Sequence, residues 1–363
     1  MPISAIDTIG LAFQHTKRQL VQPFRLWQWT RLAFVGLLAG EMGSGGGCNF
    51  GRSFRSTHQA AGVPHLGQIL PKIDPVLLAT IVAVLVVTGT IVMLVMMYIS
   101  SVMRFILFDS VLTRECHIRD GWNRRQGPGW NYFLWKIAFA LLSLAGIVAL
   151  IGVPAAFALS MGWFSSPRDH VFPLVLTGIL VFGLFGVFSL IAGIIFVFTK
   201  DFVVPQMALE GIGVVEGWRR LWPMVRTEKG AYAVYVLMKI GLTIGAGIVV
   251  GIASAILVVV LLVPAVAVAV AAVIAGKTAG LTWSVLSITA VVVAVCILLA
   301  VLFYLVSLVS VPVIVFFPAY AMYFFAARYR PLTVALFPEP PPAPVVVPSG
   351  TTPPFSPPPL PAV

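Results

Sequence analysis

The chain of 363 residues is 60% hydrophobic and only 10% charged, with a mean hydropathy of +1.02. A soluble domain carries about 25% charged residues, so a surface that faces mainly water is excluded. The net charge of +11 fits a nucleic-acid partner only where basic residues form a patch on a soluble domain. Here nearly all of them flank apolar blocks, so no nucleic acid is expected, and the basic residues belong at membrane interfaces, where each contributes about 1 kcal/mol of attraction to anionic lipid.

In chain order, Ser4 and Asp7 form a capping box that opens a helix with Ile6, Ile9 and Phe13 on one face. Lys17, Arg18, Arg25, Trp27 and Trp29 give it the composition of a helix lying in the interface, and an amphipathic helix packed on the bundle fits the same pattern. The start also lacks a cleavable signal, so the first span is expected to act as an uncleaved insertion signal. Leu32 to Gly40 is an apolar run too short to cross about 30 Å of hydrocarbon. Counted over 26–47 it makes a marginal span, with a half-helix or re-entrant segment as the alternative. Residues 48–74 read as a polar loop.

Apolar spans are predicted at 75–103, 132–159, 171–199, 231–262 and 282–309. Gly127, Pro128 and Gly129 are expected to break the basic connector after the first of these. Pro205 is expected to bend the span at 171–199 into a shorter amphipathic segment carrying Gly217, Trp218, Arg219 and Arg220. The apolar run 231–275, interrupted by Pro264, reads either as a tilted helix to about Leu262 plus a short segment or as a hairpin. Pro312 and Pro318 are expected to kink an aromatic extension from Phe316 to Tyr329. Residues 331–363 form a proline-rich tail, with 12 prolines among the last 26 residues, which is expected to be disordered or polyproline II. Its Pro-x-x-Pro spacings fit a groove on a partner protein.

The expected architecture is therefore an all-α polytopic bundle of about six membrane segments within residues 1–330, with interfacial amphipathic helices. An internal repeat runs through it: basic helix, span, loop, long span and proline-bent exit. Trp122 and Trp218 mark corresponding points, and aligning Pro318 on Pro205 sets Ile314 opposite Asp201. Of the 23 Lys and Arg, 18 lie in residues 1–31, 104–136, 200–239 and 328–363, and 5 in the alternate loops 42–74, 161–170 and 276–281. That bias puts both termini on the cytoplasmic side of a multi-pass protein of the cell (inner or cytoplasmic) membrane.

Few residues point to chemistry. Asp109 and Asp201 stand at the exits of long spans, beside Arg104 and Lys200, and ion pairing with those neighbours is the simplest reading, with an ion or proton role as the alternative. Glu41 leads into the glycine-rich Gly43 to Gly47 stretch, which lacks the Lys-Ser/Thr of a phosphate-binding loop and reads as a turn. Cys48, His58 and His65 share a loop without the spacing or fourth ligand of a zinc site. No catalytic set, metal or cofactor is expected. Trp122 with Arg124 and Arg125, and Trp218 with Arg219 and Arg220, fit interfacial anchoring or contact with lipid phosphate.

The order of these elements, with Phe202-Val-Val-Pro-x-Met-Ala-Leu209 and Gly217-Trp218, resembles uncharacterised prokaryotic multi-span families related to the membrane domain attached to some glycerophosphoryl diester phosphodiesterases. The resemblance covers residues 5–330 and implies a helical membrane module without catalytic residues. The function expected is a non-enzymatic module that organises membrane lipids, anionic headgroups included, or protein partners. A transporter or permease component is the alternative, and an intramembrane lipid-metabolising enzyme the third.

Overall fold

Residues 4–22, 24–41, 75–164, 170–278 and 285–337 are described by the structure, a computed structural model. Among them every regular element is helical: α1 (Asp7–Leu20), α2 (Leu26–Leu38), α3 (Pro75–Thr113), α4 (Ile118–Ser160), α5 (Val171–Phe198), a π-helical turn (Thr199–Val203), α6 (Val204–Glu210), α7 (Val214–Thr227), α8 (Lys229–Thr278), α9 (Val285–Ala326) and α10 (Arg330–Leu336). Five helical stretches are long and apolar enough to cross a membrane: α3, α4, α5 through α6, α8 and α9. The chain is a multi-pass membrane protein. The glycine-rich turn after Glu41, the loop with Cys48, His58 and His65, and the proline-rich tail from Pro338 onward lie outside the described residues; the tail expected from 331 begins instead as helix α10, where proline takes a first-turn position that needs no N–H donor and Leu332 is buried.

Proline does less to this chain than its spacing predicts. α4 runs unbroken through Pro128 and Gly129, α8 through Pro264, and α9 through both Pro312 and Pro318. The stretch 231–275 is thus part of one helix, neither a hairpin nor a helix with a separate segment. At Pro264, deep in an apolar stretch, the physical reason is the solvent. Hydrocarbon offers no water to backbone groups freed by a broken helix, so continuing the helix around a missing N–H costs less than leaving it. At Pro205 the helix widens into the π turn just before the ring, since Pro205 cannot donate to the carbonyl of Asp201. The bend expected at Pro205 comes later, at Gly211, whose φ of 70° only glycine adopts at little cost.

The buried core lies at one end of the helices. It is built from the C-terminal parts of α3 (Phe105, Ile106, Leu107) and α9 (Ile314, Tyr320, Phe324), and from Phe202 and Met207 around the π turn and α6. Phe202 packs against Tyr232 and Tyr235 of α8 and against Phe324 and Phe325 of α9, with ring centroids 5.1–5.9 Å apart. Away from this core the spans separate. The most apolar stretches of α3, α4, α5 and α8 bury none of their residues against the rest of the chain.

α1 and α2 complete the core by capping α3. The last carbonyls of a helix have no partner within it. Gln19 Nε2 donates to the Ser110 carbonyl at 2.8 Å and His15 Nε2 to that of Val111 at 2.9 Å. Just beyond α3, Gln28 donates to Arg114 O (2.7 Å) and Arg31 to Cys116 O (3.1 Å). α1 therefore turns its polar side (Thr8, His15, Gln19) inward and leaves Ile6 and Phe13 more than 60% exposed. It packs on the bundle with Ile6 and Phe13 turned outward, while Ile9 of the same predicted face is partly buried against the core. The Ser4–Asp7 box forms as expected, Asp7 N–H donating to Ser4 Oγ at 3.2 Å. α2, at 13 residues, is about 20 Å long, too short to span. It rises beside α3 from Cys116 to Arg104 and stops, with Gly36 so close to Ile314 that a β-carbon would collide with that side chain.

His15 gives this docking a pH dependence. Its Nδ1 lies 3.1 Å from the Tyr323 hydroxyl; a carbonyl only accepts, so Nε2 carries the proton and Nδ1 accepts. Burial lowers the pKa of His15 below 6.5, outweighing the Val111 bond that raises it. The unfolded chain then takes up the proton first, so this stabilisation is complete above about pH 6.5 and is lost as the pH falls through the native value. Thermal unfolding of the detergent-solubilised protein is expected to shift to lower temperature on acidification below about pH 6.5, with His15→Gln flattening that part of the profile. A wild-type profile without this acid limb would contradict the assignment.

Candidate functional site

Where the three returning helices meet, the apolar core gives way to charge. Glu41 follows α2 after a left-handed Gly40 (φ 78°), and its N–H bonds the Gly36 carbonyl at 2.9 Å. This turn points its carboxylate inward, with 2% of the side chain exposed. One oxygen accepts from Arg104 Nη1 of α3, the other from Lys200 Nζ of the π turn at 2.6 Å. Arg104 also donates to the Ala39 carbonyl at 3.1 Å. Asp201, the next residue, faces α8 instead: its carboxylate accepts from Lys239 Nζ and, at 2.9 Å, from the Tyr235 hydroxyl. Arg104 stands nine residues before the end of α3, about 14 Å into the helix.

The pairings differ from those expected between sequence neighbours. Lys200 and Asp201 do not pair with each other, because adjacent residues on a helix diverge by about 100° and do not face one another. Arg104 and Asp109 are also on different faces. Asp109 is held in a fork by Arg125 of α4, at 2.6 Å and 2.7 Å, and Arg125 donates a third bond to the Ala208 carbonyl at 2.5 Å. Lys136, one turn beyond Tyr132 on α4, borders the same cluster. Its ammonium lies 3.3 Å from Ser100 Oγ and 5.0 Å from the centre of the Tyr132 ring.

The six residues proposed as interfacial anchors divide. Gly217 approaches the π turn so closely that a β-carbon would lie 2.6 Å from Val203, which lets Trp218 Nε1 donate to Thr199 Oγ1 at 2.9 Å. In the upstream copy Gly121 sits against Ile106 of α3, and Trp122 meets Tyr98 edge-on. Both tryptophans thus tie their helices to a returning span. Arg125 is buried in the bonds above. Arg220 is shared between Glu210 and Glu216, and Glu210 also accepts from the Tyr329 hydroxyl. Arg124 is exposed, and Arg219 has 80% of its side chain exposed beside Glu216.

A cavity of about 30 Å³ lies among these groups, lined by Glu41, Arg104, Lys200 and Asp201 together with Pro205 and Pro318. One water needs about 10–15 Å³ by this measure, so the space suits a few waters or a small ion. Among the described residues no group of three His, Cys, Asp or Glu is placed to hold a metal. What the arrangement does physically is join α2, α3, the π turn and α8 by charges taken out of water. Removing one member of such a pair costs about 3–5 kcal/mol, because the other is left buried and uncompensated. Glu41→Gln, which leaves both Arg104 and Lys200 short of charge, is expected to lower the thermal midpoint in detergent well below wild type. Asp109→Asn, at a site 24% exposed, should lower it less. Equal shifts in the two variants would contradict the central place of Glu41.

Comparison with known proteins gives a family but no activity. A family model described as a family of unknown function, DUF7544, matches residues 3–335. No curated protein and no solved structure matches the chain, and the likeness to the phosphodiesterase membrane domain finds no support among these comparisons.

Proposed function

The chain belongs to the DUF7544 family of unknown function, and we propose that it is a non-enzymatic membrane module that organises lipid or a partner membrane protein around its open spans. The observation that carries this reading is the contrast between the two ends of the helices. The core end is closed by aromatic packing and ion pairs, whereas four of the five apolar stretches bury nothing against the rest of the chain. Helix surfaces of that kind face lipid or the helices of another protein. Arg124 and Arg219, exposed near the core end, are among the cations available to anionic headgroups, as are Lys17, Arg18, Arg119 and Arg226. The module sits in the cell membrane with both termini cytoplasmic: Glu41 lies at the core end and α3 starts at the far end, so the chain changes sides between them as well as along the five spans. The distribution of Lys and Arg supports that orientation, as does the His15–Tyr323 contact, which brings the N-terminal helix beside the end of α9. The docking of Gly121–Trp122 and Gly217–Trp218 on returning helices supports a repeated unit.

Purified in mild detergent, the protein is expected to retain anionic phospholipid above its share in the host membrane, and the Arg124→Ala/Arg219→Ala double variant to lose at least half of that enrichment. Retained lipid that mirrors the bulk membrane in both proteins would overturn the headgroup contact.

One observation favours the second reading, a transporter component. Ionisable side chains buried beside a π turn, where helices from separate parts of the chain meet, are the usual makings of an ion path. On that reading, proteoliposomes show ion flux that Asp201→Asn abolishes; flux that is absent in the wild type, or unchanged in the variant, would remove it.

A further inference from the structure

Among the described residues the charges around the cavity do not balance. Arg104, Lys136, Lys200 and Lys239 gather there with two carboxylates, Glu41 and Asp201. Among the described residues no further acid is paired with these cations. Asp109 is taken by Arg125, Glu210 by Arg220 and Glu228 by Arg328. Residues 42–74, which follow Glu41, contain three basic residues and a single acid, Asp74. Asp74 adjoins Pro75 in sequence, and Pro75 is 29 residues from Arg104 on α3, about 44 Å along the helix. A surplus of buried positive charge costs several kcal/mol per ion unless a counter-charge accompanies it. Arg104 adds a second sign of a missing partner: its Nε is buried and makes no hydrogen bond, and unmet buried donors commonly mark the place of a water or ion.

We propose that this cavity binds one small anionic group at Arg104 and Lys200. The group is either a free inorganic anion or a phosphate oxygen of a membrane lipid reaching in from the bilayer. The volume of about 30 Å³ admits a monatomic ion or a single anionic oxygen with a water. Lys239, bound to Asp201, and Lys136, within electrostatic reach of Arg104, Lys200 and Glu41, add to the field without lining the cavity. The site is separate from the exposed arginines, so an absence of anionic-lipid enrichment would leave it standing.

The test uses the full-length protein, stripped of lipid by detergent exchange, with unfolding followed by tryptophan fluorescence at constant ionic strength. Three probes are titrated separately: chloride replacing gluconate, inorganic phosphate replacing gluconate, and phosphatidylglycerol replacing phosphatidylcholine in nanodiscs. The expected result is a saturable rise in the midpoint with at least one probe. An inorganic arm alone identifies a free anion, and the lipid arm alone a headgroup. Lys136→Gln removes one surplus charge from a residue with no ion pair among the described residues, and is expected to raise the half-saturating concentration tenfold or more, while Lys136→Arg keeps it near wild type. No saturable rise with any probe, which is the result if a lysine is neutral instead, would overturn the proposal. So would a half-saturating concentration unchanged by Lys136→Gln.

Discussion

Glu41 is the group on which the arrangement of the core end depends. Its two oxygens hold Arg104 and Lys200, residues 63 and 159 positions further along the chain. A carboxylate and two cations withdrawn from water are tolerated only where each finds the others at hydrogen-bonding distance. The position of α2 follows from that requirement. A helix of 13 residues cannot cross the bilayer, yet it must deliver Glu41 to the level of Arg104, and the left-handed Gly40 turns the carboxylate in. Asp201 repeats the device one residue after Lys200, tying the π turn to α8 through Lys239 and Tyr235.

The same solvent condition explains the rest of the core end. Polar side chains of α1 and α2 bond carbonyls at the end of α3, so α1 buries His15 and Gln19 beside Ala12 and Leu20 and leaves Phe13 outside. The aromatic packing around Phe202 then fills the space between the ion pairs and the helix ends without adding groups that need partners.

The long apolar spans were legible because length and hydropathy are local properties that the bilayer enforces. Proline was misleading too: Pro128, Pro264, Pro312 and Pro318 carry a turn signal calibrated where water satisfies a broken helix, and at Pro264, deep in an apolar stretch, water is absent. The charged partners were not legible at all. Glu41 looked like the start of a flexible turn, and Asp201 had Lys200 beside it. Nothing in the spacing of Glu41, Arg104, Lys200 and Lys239 announces that four segments converge. His15 and Gln19 were passed over as polar residues on an amphipathic helix, although a histidine and a glutamine one turn apart on the side away from Ile6 and Phe13 were the available signal. The Gly–Trp pairs were visible as a motif, but their role needed the close approach of Gly217 to Val203.

The bond between His15 and Tyr323 spans 308 residues, and this distance has a consequence for how the protein is made. At about 5–20 residues per second of synthesis, roughly 15–60 s separate the appearance of the two partners. During that interval α1 exists without α9 and His15 without Tyr323, and until α3 is made, 91 and 96 residues on, Gln19 and His15 also lack their carbonyl partners. A segment with such unpartnered polar groups has a stable resting place only at the boundary between water and lipid, polar side to water and Ile6 and Phe13 to the acyl chains. The outward Ile6 and Phe13 suit the first helix to such a resting place until the later spans arrive.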